Sequence, residues 1–68
     1  MEGKYSIELF RDGGEGAGLE AVMARDDNLA MARAIYKTLV SQRPGRLIMR
    51  CDQGRVLARS DRLETMPQ

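Results

Sequence analysis

The feature that most constrains this 68-residue chain is a single helix with both ends written into the sequence. Asp26, Asp27 and Asn28 offer side-chain oxygens to the unpaired amides of a first turn, and the two aspartates suit the positive end of a helix dipole. From there Leu29, Met31, Ala32, Ile35, Tyr36, Leu39 and Val40 gather on one side at 100° per residue, while Arg33, Lys37, Thr38 and Ser41 take the other. Pro44-Gly45 closes the element, because proline disfavours helical geometry in the residue before it and glycine permits the reversal. So wide an apolar stripe needs a surface to cover. The rest of the chain must supply a sheet.

Two strands are expected before the helix. Tyr5, Ile7 and Leu9 alternate with Lys4, Ser6 and Glu8, the period of a half-buried strand. Arg11 to Gly18 (RDGGEGAG) breaks the pattern and makes a natural hairpin loop. Leu19 to Arg25 follows as the second strand, although Leu19, Ala21, Val22, Met23 and Ala24 do not alternate cleanly and would also suit a helix.

After the helix, Arg46 to Ser60 reads as a hairpin about a two-residue Gln53-Gly54 turn. An uninterrupted register sets Asp52 opposite Arg55, Cys51 opposite Val56, Arg50 opposite Leu57 and Met49 opposite Ala58. Continuing, Ile48 meets Arg59, Leu47 meets Ser60 and Arg46 meets Asp61. Leu47, Met49, Cys51, Val56 and Ala58 then face the helix. The outer face receives Arg46, Ile48, Arg50, Arg55, Leu57 and Arg59. The expected core is Tyr5, Ile7, Leu9, Met23, Leu29, Ala32, Ile35, Tyr36, Leu39, Leu47, Met49, Cys51, Val56 and Ala58. The fold class is α+β: a four-stranded, mainly antiparallel sheet in the order ββαββ with one helix on one face. Residues 1–62 form one domain, and residues 63–68 are expected to be a frayed tail.

Composition narrows the chemistry. With no His and one Cys, Cys51, the chain lacks the usual zinc ligands and any Cys–His catalytic pair. Turned inward, Cys51 is a small apolar residue with a raised thiol pKa. The glycine loop lacks the Lys and Ser/Thr of a phosphate-binding loop, and Glu15 would repel phosphate. Asp26-Asp27 is explained by capping. No enzyme activity, metal or cofactor is therefore expected. No apolar run reaches the roughly 20 residues of a membrane span, and none resembles a signal peptide, so a cytoplasmic protein is expected.

Charge is divided along the chain. Residues 1–32 carry three cations against seven acids, and residues 33–68 carry eight against three, giving −4 and +5. Such a split marks either a basic nucleic-acid-binding end or two halves that neutralise each other within a sheet or across a dimer. The outer-face group Arg46, Ile48, Arg50, Arg55, Leu57 and Arg59 poses the same choice. It reads as a solvated face, a dimer interface with aliphatics at its centre, or a phosphate-contacting surface without the stacking aromatics of sheet-face RNA readers. The leading expectation is a non-catalytic interaction module, a homodimer or a binder of another protein. Nucleic-acid binding through the arginine face is the alternative.

The layout resembles a group of short, uncharacterised bacterial proteins of ββαββ form. The matching residues are Lys4-Tyr5-Ser6-Ile7, Asp26-Asp27-Asn28-Leu29-Ala30 and Cys51-Asp52-Gln53-Gly54-Arg55-Val56. The resemblance spans most of residues 4–60 and departs at the long Gly13–Gly18 loop; the group being of unknown function, it implies an architecture and carries over no catalytic residues.

Overall fold

The computed structural model describes residues 3–61; the expected tail at 63–68 lies outside them. β1 (Tyr5–Phe10), β2 (Leu19–Asp26), α1 (Leu29–Gln42), β3 (Ile48–Asp52) and β4 (Arg55–Arg59) follow in the order ββαββ. Every pairing is antiparallel, and the spatial order is β2-β1-β3-β4. Each hairpin stays intact, and β1 joins them by pairing with β3. The helix packs across β1, β2 and β3. This is the α+β architecture expected from the sequence.

The junction before α1 divides three adjacent side chains among three tasks. Asn28 caps the helix, its Oδ1 accepting from the Met31 amide at 3.1 Å. Asp26 Oδ1 accepts from the Asn28 amide at 2.8 Å and fixes the turn into the cap. Asp27 Oδ1 accepts from the Lys4 amide at 2.8 Å, tying the entry of β1 to the entry of the helix. The packing there is close: a Cβ on Gly3 would lie 2.5 Å from the Asp26 nitrogen. At the other end Arg43 donates its amide to Leu39, and Gly45 turns the chain at φ +85°.

The poor alternation in β2 has a structural cause. Opposite β1, β2 carries one extra residue between the partners of Ile7 and Glu8, and another between those of Leu9 and Phe10. These bulged residues are Met23 and Glu20. Each resets the strand's facing, so the apolar positions fall out of step with a period of two.

A bulge also corrects the second hairpin. Gln53 and Gly54 form the expected turn, both at positive φ, with Asp52 opposite Arg55 and Cys51 opposite Val56. Beyond them Leu57 is extra, and Arg50 pairs with Ala58 while Met49 pairs with Arg59. The facing of β3 is the reverse of the expected one. Ile48, fully buried, joins Ile7, Leu9, Ala32, Tyr36 and Ala58 beneath the helix. Leu47, Met49 and Cys51 form a second buried cluster with Phe10 on the other side of the sheet. The ladder between β1 and β3 sets this parity, pairing Leu9 with Ile48 and Ile7 with Arg50, so all four share the helix side. Val56, expected in the core, is 43% exposed.

Candidate interaction surface

The six residues expected on one outer face are dispersed by this parity. Ile48 is in the core. Arg50 lies on the helix side, its guanidinium 5.4 Å from the centre of the Tyr36 ring, a cation–π contact. Its Nε is buried without a hydrogen-bond partner among the described residues. Arg55 is exposed beside the turn, and Leu57 is the bulged residue of β4.

Arg46 and Arg59 are drawn to the glycine-loop end of the sheet, where acids from the first half of the chain meet them. Arg46 donates through Nε and Nη2 to the Phe10 carbonyl, at 3.2 and 2.7 Å, and through Nη2 to the Glu20 carboxylate. Glu20 reaches it from a bulge of β2. Arg59 clasps both carboxylate oxygens of Asp61, at 2.7 and 2.9 Å, and donates to Glu15 at 3.0 Å. Asp61 foremost, with help from Glu15, raises the affinity of Arg59 for its proton. Glu15 is held in a short 3-10 turn, Glu15–Ala17, inside the glycine loop, which the Arg11 amide closes by donating to the Gly18 carbonyl. The acidic and basic halves neutralise each other within one sheet at this end. An arginine face continuous across the hairpin does not form.

Cys51 behaves as expected in one respect and differs in another. It is buried, and burial first, then the nearby Glu8 charge, pushes its thiol pKa up. It points away from the helix rather than toward it. A protonated thiol in an apolar cluster is a poor nucleophile.

The exposed large aliphatics are unevenly placed. Leu19 and Val22 stand on β2, and Val56 and Leu57 on β4, each 38–45% exposed. All four belong to the two outer strands, while the exposed Met31 stands on α1. None is on the central pair β1 and β3. Sequence reasoning missed this arrangement because edge position depends on strand order. No helix among the described residues is long and apolar enough to cross a membrane. Compared with protein-family models, curated proteins and solved structures, the chain matches none.

Proposed function

We propose that the protein is a small non-catalytic interaction module that joins a second copy of itself, or another protein, along the edges of its sheet. The observation that carries this reading is the placement of Leu19, Val22, Val56 and Leu57 on the two outer strands. An outer strand presents unpaired backbone amides and carbonyls, and aliphatic side chains beside them add burial to any strand that pairs there. At about 25 cal/mol per Å² of apolar surface, such burial is worth a few kcal/mol before association costs. A reducing, cytoplasmic setting fits the single thiol of Cys51.

Sedimentation equilibrium over a wide concentration range tests self-association. Dimerisation gives a mass above the 7.6 kDa of the monomer, and Val22→Glu or Val56→Glu returns it to the monomer. A wild-type monomer persisting at high micromolar concentration overturns self-association. If capture from cells treated with nuclease also yields no protein partner, the module reading falls.

A further inference from the structure

Building on the reading of the protein as an interaction module, we propose that the outer edge of β4, with the cationic flank of α1 beside it, takes up an extended acidic segment of another protein as a fifth strand. The two edges of the sheet are not equivalent. β2 is interrupted by bulges at Glu20 and Met23, which break the regular spacing of backbone groups that an added strand needs. β4 has one bulge, at Leu57.

Arg55, exposed at this edge and without a carboxylate partner among the described residues, favours an acidic strand.

More positive charge lies on the helix side of the edge. Arg33 and Lys37 are one turn apart and share a flank with Val40, at i, i+4 and i+7. Val40 lines a cleft with Ser60 and Asp61, just beyond the end of β4, and Ala58 of β4 is buried with Ala32 and Tyr36, so this flank is on the side of the helix nearer β4. Arg50 lies on the same side of the sheet, across from the small Ala58. Arg33, Lys37 and Arg55 have no carboxylate partner among the described residues. On the sheet's other side, β4 offers the exposed Val56. A strand alternates its side chains between two faces, so the favoured occupant alternates acidic residues toward the cations with aliphatic residues toward Val56.

Fluorescence anisotropy with a labelled octapeptide of alternating glutamate and valine tests the site. Saturable binding is expected, with an alternating lysine–valine peptide failing to bind. Arg33→Glu combined with Lys37→Glu weakens binding by about tenfold or more. Both positions are exposed, and circular dichroism checks that the fold survives. Methylating alternate backbone amides of the peptide weakens binding as much, because strand addition uses those donors. Equal binding of the methylated peptide, equal binding by the variant, or no binding at all overturns the proposal. So does tighter binding of an eight-nucleotide oligothymidylate, which would make the cations a nucleic-acid site. Sedimentation of the same samples separates the two readings: a dimer indifferent to the acidic peptide keeps the interaction module and removes this partner.

Discussion

β3 and β4 are two five-residue strands of one hairpin, each carrying arginine and aliphatic side chains, yet their fates are opposite. In β3, Ile48, Met49 and Cys51 are buried, and even Arg50 is partly enclosed against Tyr36. In β4, Arg55, Val56 and Leu57 are exposed, and Ala58 alone is buried. Composition does not separate them. Position does: β3 has a strand on either side and apolar clusters on both faces, whereas β4 has one neighbour and lies outside the main reach of the helix. An inner strand uses its apolar residues for stability. An outer strand leaves them for contact.

The sharpest way to break this comparison is to shorten an aliphatic side chain in each strand. Ile48→Ala should cost about 2–5 kcal/mol, since it empties a site sealed between the helix and β1. Val56→Ala should cost about 0.5 kcal/mol or less, as expected of an exposed position. Urea unfolding monitored by circular dichroism measures both. Equal losses would mean that the two strands are equally enclosed. Arg46→Ala should cost about 1–2 kcal/mol by removing charged hydrogen bonds to the Phe10 carbonyl and Glu20, with the larger loss at low salt. Arg55→Ala, with no described carboxylate partner, should change stability by less than Arg46→Ala in the same assay.

A smaller effect sharpens how the hairpin is closed. Ser60 Oγ accepts from the Ile48 amide at 2.8 Å and donates to the Arg46 carbonyl at 2.9 Å, continuing the ladder past the end of β4. Ser60→Ala should cost about 1 kcal/mol and raise hydrogen exchange at the Ile48 amide. The smallest effect concerns alkali. The folded-state thiol pKa of Cys51 lies above the ordinary value of 9.0, so its contribution is complete below that pH and is lost as pH rises toward the folded value. A stability profile through that range should decline more for the wild type than for Cys51→Ala. Parallel declines would mean that the thiolate is tolerated inside.

Much of the architecture was legible because its signals are local. The Asp26–Asn28 cap, the Pro44-Gly45 stop and the Gln53-Gly54 turn each act within a few residues, and each stands where the sequence places it. The parity of β3 was not legible. Apolar residues occupy both of its alternating sets, Ile48 in one and Leu47, Met49 and Cys51 in the other, so period alone does not say which set meets the helix. The deciding contact is the pairing of Leu9 with Ile48, between residues remote in sequence. The bulges at Glu20, Met23 and Leu57 were hidden for a related reason: each becomes visible only when its strand is read against a partner. With β3 reversed, the six residues of the expected face were scattered, and the arginines acquired separate roles.

The central place of β1 has a consequence in time as well as in space. β1 meets β2 through the eight residues 11–18, but it meets β3 only across the whole helix, so half of its backbone waits for the later hairpin. Loop closure of that length is costly before the contacts beyond it repay the ordering. Until β3 arrives, Ile7 and Leu9 lack their most buried neighbour, Ile48, and β1 has an open edge on the side that later becomes the middle of the sheet. A strand that ends in the middle of the sheet therefore begins with an open edge, and the second hairpin acts for this chain as the cover that a chaperone lends to others.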